Sequence, residues 1–297
     1  MIRSFDPSDD ESIVALFARL HADDSAIDAP DLVGWRSYRA MNLFEGGRRF
    51  LVVEDDEGHI VGLSTLGEMH GVQRVRIFID PSHRRRHLAT TILERREVEA
   101  RASGVKAIEC FIDGRWKAGL ELAKKHAYTV FVHDLFLRRD MSPWHAPLPD
   151  GVRLRPYAGL EDDETWAAIS NATLSRDAGF HRASASDMPG FSRMPGFELA
   201  FAEAAGTPIG FCHLERRGEV GYVQALAVLA SHESRGVGAA LLSNGIESLR
   251  RTSHGAPAAR AACIELCTEK DNARAQRLYA RAGFALDREA FTFKKTF

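Results

Sequence analysis

The sequence repeats itself, and that repetition constrains the fold more than any other feature. Each half opens with a short extended piece and then a helix. Residues 2–5 lead into Asp6-Pro7-Ser8 and a helix with Ile13, Leu16, Phe17 and Leu20 on one side; residues 152–156 lead into a helix through Trp166, Ile169 and Thr173. Spacings of three and four are those of an amphipathic helix. A hairpin follows in each half. Residues 50–53 and 59–62 flank a turn ending at Gly58, and residues 199–203 and 208–211 flank a turn around Gly206. Both glycines supply the positive φ that a tight connection needs, and they lie about 148 residues apart, close to half the chain. An apolar strand comes next (75–79 and 223–228), then a polar loop and a helix. These helices cover 88–102 and 237–250, the second with Val237, Leu241, Leu242, Ile246 and Leu249 inward. A strand (107–112 and 262–267), a helix and closing strands complete each copy. The order β-α-β-β-β-α-β-α-β therefore occurs twice. Residues 141–150 hold Pro143, Pro147 and Pro149 and read as an extended linker. The expected fold is α/β and duplicated, with an N-terminal domain at 1–140 and a C-terminal domain at 151–297.

Composition removes several function classes. At 297 residues, with 45% hydrophobic and 27% charged residues, two ordinary globular domains are accommodated. No run of about 18 apolar residues is present, so no membrane helix is expected. The N-terminal MIRSFDPSDDES is acidic where a signal peptide is basic and then apolar, so the expected location is the cytoplasm. The net charge is −2 and neither half is strongly basic, so nucleic acid is not expected as a partner. The one basic run, His83-Arg84-Arg85-Arg86-His87, is short. Four cysteines in a chain this long make no disulfide framework. Cys263 and Cys267 alternate with Glu265 on one expected strand, where packing explains them better than a metal does. The twelve histidines show no H-x-x-x-H pattern on a helix, since His83 and His87, which have that spacing, lie in the polar loop before the helix at 88–102, so no metal is expected.

Two segments carry chemistry. The first runs from Leu226, Ala227 and Val228 through Glu233-Ser234-Arg235-Gly236-Val237-Gly238-Ala239. It is a strand, a polar turn and a helix start. Unpaired N–H groups at a helix start, reinforced by the helix dipole, make a nest for an anion. A tight turn using glycine for geometry alone is the other reading. The second segment is Asn272-Ala273-Arg274-Ala275-Gln276-Arg277-Leu278-Tyr279-Ala280-Arg281-Ala282-Gly283-Phe284. It reads as a helix with Asn272 at its N-cap and Gly283 after its end.

Together, in this order, the two segments resemble the GNAT superfamily of acyl-CoA-dependent N-acyltransferases. The family loop [RQ]-x-x-G-x-[GA] corresponds to 233–238, with Glu233 in place of Arg or Gln. The later signature N-x-x-A-x-x-L-Y-x-x-x-G-F is matched by Asn272, Ala275, Leu278, Tyr279, Gly283 and Phe284. The resemblance implies tandem GNAT-like domains, each a mixed, mostly antiparallel sheet flanked by helices, with a strand pair that splays apart after a bulge to admit CoA. It implies pantetheine pairing at Leu226 and Val228, pyrophosphate on the amides of 233–239, and contact from Asn272. It places Tyr279 near the sulfur, as the acid for the leaving thiolate. Acetyl transfer to a primary amine by direct attack is then expected, with acetyl-CoA as co-substrate. The proton acceptor is left between Glu265, a water relay and the strand position held by Tyr222, beside Gln224. The acceptor is a small-molecule or peptide amine, and a homodimer is compatible with the sequence. A non-catalytic acyl-CoA sensor is the alternative, resting on Glu233.

The first copy departs further. His87 replaces the middle glycine of its loop, Ala89 takes the last position, and Arg84 keeps the basic one. Trp116 and Ala123 stand where Asn and Tyr are expected, so this copy is expected to keep the fold and lose catalysis. Residues 177–196, rich in Gly, Ser, Met and Pro, are either a surface loop or the roof of the acceptor pocket. The roof reading implicates Phe180, His181, Met188, Phe191 and Met194.

Overall fold

The computed structural model describes all residues except 25–26, 28, 41–44, 70–71, 178–179, 181, 195 and 253–260. In chain order the elements are β1 (Ile2–Ser4), α1 (Asp10–Asp23), α2 (Leu32–Ala40), β2 (Glu45–Glu54), β3 (Ile60–Met69), β4 (Val72–Ile79), α3 (Leu88–Ser103), β5 (Ala107–Asp113), α4 (Lys117–Lys125) and β6 (Thr129–Arg139). They continue as β7 (Val152–Pro156), α5 (Asp163–Thr173), α6 (Met188–Phe191), β8 (Glu198–Ala204), β9 (Thr207–Arg217), β10 (Val220–Val228), α7 (Val237–Thr252), β11 (Cys263–Glu269), α8 (Ala273–Arg281) and β12 (Ala285–Thr296). The duplicated order is present, with one addition in each copy: α2 in the first and the single turn α6 in the second. Neither belongs to the repeated order that the sequence pattern shows: α6 is a single turn, and α2, as long as α4 and α8, stands in one copy only. α2 is held by Trp35, which is buried and donates its indole N–H to Asp10 Oδ1 at 2.7 Å.

The chain forms two compact units, Met1–Phe131 with Phe291–Phe297, and Val132–Ala290. These bounds differ from the repeat bounds of 1–140 and 151–297 because each copy ends in a long strand that leaves its own unit. β6 passes into the second unit at 131/132, and β12 passes into the first at 290/291. Residues 141–150 form no strand or helix and lie along α7. Ala146 N–H donates to Ser243 Oγ at 3.1 Å, Ser243 Oγ donates to the Trp144 carbonyl at 3.1 Å, and Arg250 Nε to that of Met141 at 2.9 Å.

In the first unit the strand order is β1-β2-β3-β4-β5 followed by the end of β12. Phe293 of β12 is 2% exposed there, among Leu93, Ile108 and Tyr128. In the second unit the order runs β7-β8-β9-β10-β11-β6. Only β4–β5 and β10–β11 pair in parallel; the other described pairings are antiparallel. α7 buries Val237, Leu241, Leu242, Ile246 and Leu249, the residues its sequence period turns inward. On the other sheet face, α5 buries Trp166 and Ile169 against Phe201 and Phe211.

One ion cluster recurs at the same place in both copies. Arg3 of β1 reaches Asp9 at 2.8 Å and Glu54 at 2.6 Å; Arg155 of β7 reaches Asp162 at 2.6 Å and Glu203 at 2.5 Å. Such a cluster ties the first strand, the start of the first helix and the second strand together. No helix among the described residues is long and apolar enough to cross a membrane.

Candidate functional site

The site is built where β10 leaves β11. The two strands pair only over Val220–Val223 with Cys263–Leu266. Between Val223 and Ala225 the pairing of β10 with β9 shifts by one residue, a bulge at Gln224. Beyond it, Ala225–Val228 stay bonded to β9, while Cys267–Glu269 stay bonded to Phe136, Leu135 and Asp134 of β6. The strands therefore diverge, and the edge of β10 carrying Leu226, Ala227 and Val228 faces the opening with no strand on it. This is the splayed pair that the resemblance implies.

β10 runs directly into the anion loop. Ser234 has φ 59° and Gly236 has φ 86°. Left-handed residues alternating with right-handed or extended ones turn successive N–H groups to one side and form a nest. The first turn of α7 closes with Ala240 N–H on the Gly236 carbonyl at 3.0 Å. The N–H groups of Val237, Gly238 and Ala239 thus point out of the helix start. Gly238 lies against Val228 and Leu278, so strand, loop and α8 meet there.

Glu233 is not opposed to this arrangement. Its carboxylate is bonded to Arg274 of α8 and lies 3.4 Å from Arg176. The Arg274 hydrogen bond is the main reason its pKa falls below the usual carboxylate range. Arg235, the offsetting charge that sequence proximity suggests, is not its partner in either described pair. Asn272 caps α8, its Oδ1 accepting from Ala275 N–H at 3.1 Å.

Tyr279 sits 7% exposed on α8, with its ring 5.9 Å from Phe284, edge to face. Burial drives its phenol pKa upward, with further contributions from Cys212, Asp177, Cys267 and Tyr222. Tyr279 shares one core cluster with Cys212 of β9, Val223 of β10 and Leu266 of β11, so it lies among the strands that border the opening. Tyr222 is 6% exposed, in register with Glu265 and Glu215, and lies under the Arg217 guanidinium at 3.7 Å. Burial raises its pKa too. Glu265 stands between Arg138 at 3.5 Å and Arg288 at 3.6 Å. The four cysteines are free thiols, and Cys263 Sγ accepts from Arg138 at 2.9 Å.

The described residues of 177–196 make contacts of their own and with α5. Asn171 exchanges hydrogen bonds with the backbone of Ala183 at 2.8 and 2.9 Å. Met188 is fully buried and Phe191 packs edge-on against Trp166 at 5.6 Å. Phe180 donates its N–H to the Asp177 carbonyl and Met194 to that of Phe191. His181 lies outside the described residues.

Two residues escaped the sequence reading. His213 of β9 is 2% exposed and stands in register with Ala225, just past the bulge. The rings of Phe191 and Phe197 lie 5.6 and 5.0 Å away, and its Nε2 has no hydrogen-bond partner among the described residues. Burial pushes its pKa down to about 4, so the imidazole is neutral. Asp177 ends the turn after α5, and its pKa is pushed up to about 6, first by burial and then by Glu269 and Asp134. Both lie where strand and helix periods carry no signal about what they face. Among the described residues no group of three or more His, Cys, Asp or Glu is placed to hold a metal ion.

Known proteins share this fold. The sequence matches the acetyltransferase (GNAT) family twice, over residues 14–127 and 164–284. It is 27% identical over 246 residues to the mycothiol acetyltransferase of Kineococcus radiotolerans, covering 79% of this chain and 77% of that one. It is 27% identical over 250 residues to that of Clavibacter michiganensis, covering 81% and 78%. In structure it is similar to a tandem GNAT protein from the clavulanic acid biosynthesis pathway, with TM-score 0.80, 14% identity and coverage of 100% and 98%. It is also similar to a GCN5-related N-acetyltransferase from Sphaerobacter thermophilus, with TM-score 0.77, 20% identity and coverage of 100% and 95%. The chain belongs to the acetyltransferase (GNAT) family, as a tandem member with two copies of the fold.

Proposed function

We propose that the second unit moves the acetyl group of acetyl-CoA to a primary amine by direct attack within a ternary complex. The observation that carries this is the coincidence, in that unit, of the bulged and splayed β10, the nest at 233–239 and a buried Tyr279 beside the opening. The pyrophosphate sits on the N–H groups of 233–239. The pantetheine arm pairs with the free edge of β10 at Leu226 and Val228. A β10 backbone N–H polarises the thioester carbonyl. The neutral amine nitrogen attacks the carbonyl carbon, the C–S bond breaks, and the thiolate takes the Tyr279 proton. The phenol's raised pKa keeps that proton available across the neutral range. The attacking nitrogen must give up a proton as well. Glu265 is engaged by the guanidiniums of Arg138 and Arg288, and Tyr222 holds its own proton. Both favour loss through water, with Tyr222 and Glu265 shaping the path. The Arg274 and Arg176 partners of Glu233 remove the one objection to a phosphate at the loop. The first unit is proposed to bind no acetyl-CoA.

Calorimetric titration of acetyl-CoA into wild type, Gly236→Asp and His87→Gly tests this, followed by detection of free thiol with an amine present. One site, lost in Gly236→Asp, is expected. Two sites would overturn the division between the copies. Binding without thiol release in the presence of any amine would replace transfer by sensing.

A further inference from the structure

The two copies fill the space between the sheet and the helix after the loop differently. In the first unit, Arg96 of α3 is 2% exposed, with its guanidinium between helix and sheet. It donates to Ser64 Oγ at 3.2 Å, to the Ser64 carbonyl at 3.3 Å and to the Arg49 carbonyl at 3.4 Å, and binds Glu99 at 2.8 Å. Two registers give the equivalent places in the second unit. α3 and α7 are both 16 residues long, so Arg96 and Glu99 correspond to Gly245 and Ser248. Gly62 pairs with Val53 as Gly210 pairs with Ala202; counting along the strands from there, Ser64 corresponds to Cys212 and Arg49 to Glu198. The second unit thus has no guanidinium on this stretch of helix, and its carboxylate stands on the strand instead.

What the second unit has there is a cavity of about 520 Å³ between α7 and the strands β7, β8 and β9. Small-molecule sites run from roughly 300 to 1,000 Å³. Leu154, Ala200, Cys212 and Leu214 supply apolar wall, and Glu198 and Ser248 supply polar groups. The Ser248 hydroxyl donates to Glu198 Oε2, and no Lys, Arg or His is paired with that carboxylate among the described residues. Gly245 keeps α7 close to the sheet: a Cβ there would stand 3.2 Å from both Cys212 Sγ and Leu214 Cδ2, so the helix has little room to send in an arginine of its own. Arg155 also lines the cavity but is bound to Asp162 and Glu203. Arg251 lines it too and is exposed, where water and salt screen its charge. From the cavity, its unpaired carboxylate and the guanidinium that fills the same place in the first unit, we infer a ligand site for a small molecule carrying a guanidinium on an apolar stem. The cation sits on Glu198 and the stem lies against Leu154 and Leu214. The site does not depend on the transfer reading. Asn244, the first residue of α7 to line it, is about 10 Å along the helix from Val237 at the nest.

The test titrates butylguanidine and butylurea, its neutral isostere, into wild type, Glu198→Gln and Ala200→Leu by calorimetry. Wild type is expected to bind butylguanidine at one site, and butylurea about tenfold or more weakly, the weight of one charge-assisted hydrogen bond. Glu198→Gln keeps the shape and an acceptor for Ser248. It should weaken butylguanidine by about tenfold and leave butylurea unchanged. Ala200→Leu narrows the cavity and should weaken both probes. Thermal unfolding midpoints close to that of wild type establish that both variants are folded. Saturating acetyl-CoA should leave butylguanidine affinity unchanged. No binding of butylguanidine to wild type, equal affinity for the two probes, an affinity unmoved by Glu198→Gln, or competition with acetyl-CoA would each overturn the assignment.

Discussion

After β4 the chain places Arg85 and His87 at φ 61°; after β10 it places Ser234 and Gly236 at φ 59° and 86°. Both helices then close the same way, Thr91 N–H on the His87 carbonyl and Ala240 N–H on that of Gly236, each at 3.0 Å. Even the tie to the preceding helix survives with its charges exchanged. Arg84 meets Asp23 at 2.7 Å in one copy, and Glu233 meets Arg176 at 3.4 Å in the other. Ala127 keeps the left-handed turn of Gly283 at φ 60°. What differs is the strand before the loop. β4 pairs with β3 in unbroken register from Val72 to Ile79, whereas β10 is bulged at Gln224. The first loop thus holds the same left-handed backbone after an unbulged strand, although β4, like β10, pairs with its parallel neighbour over four residues only, Val72–Val75 with Ala107–Cys110. Non-glycine residues in the left-handed region cost on the order of 1 kcal/mol or more each, and persist because surrounding structure dictates them.

The comparison can be broken most severely at the loops. Gly236→Asp should abolish acetyl-CoA binding in calorimetry, because it puts a carboxylate into the nest. His87→Asp should leave binding untouched, and loss of binding there would show that the first loop is in use. Next in size is Tyr279→Phe. Removing the proposed acid should lower kcat by about 100-fold with acetyl-CoA affinity nearly intact. The wild-type rate should show no fall from phenol ionisation through pH 9, since the group's pKa lies above its ordinary value. Ala123, its counterpart in the first unit, has nothing to lose. Smaller again is Trp116→Phe. It takes the indole donor from Asp24, whose Oδ2 accepts from the Trp116 indole N–H at 2.7 Å, and should cost about 1–2 kcal/mol in denaturant unfolding, without effect on acetyl-CoA binding. Smallest is Arg176→Ala. A half-exposed ion pair contributes less than about 1 kcal/mol, and Arg274 still holds Glu233.

Much of this was legible in the sequence, for identifiable reasons. The inward residues of α7 follow the helical period, and the turn at Gly236 demands a residue that accepts positive φ, so both leave marks on residue type. His87 shows the limit of that logic: it adopts the same conformation with no glycine to announce it. The bulge at Gln224 leaves no mark, because a one-residue register shift depends on what the neighbouring strand does. The partners of Glu233 come from sequence positions about 40 and 57 residues away, beyond the reach of any local reading of the loop.

The strand at Phe291–Phe297 belongs to the unit whose other residues end at Phe131. During synthesis, therefore, the first half of the protein leaves the ribosome roughly 160 residues before the strand that completes it. At about 5–20 residues per second, that is a wait of roughly 8–30 s with Leu93, Ile108 and Tyr128 lacking the cover of Phe293. A nascent chain must keep this half-built sheet from pairing with anything else in the meantime. A lesion at Phe291–Phe297 would be felt first in the unit formed by Met1–Phe131.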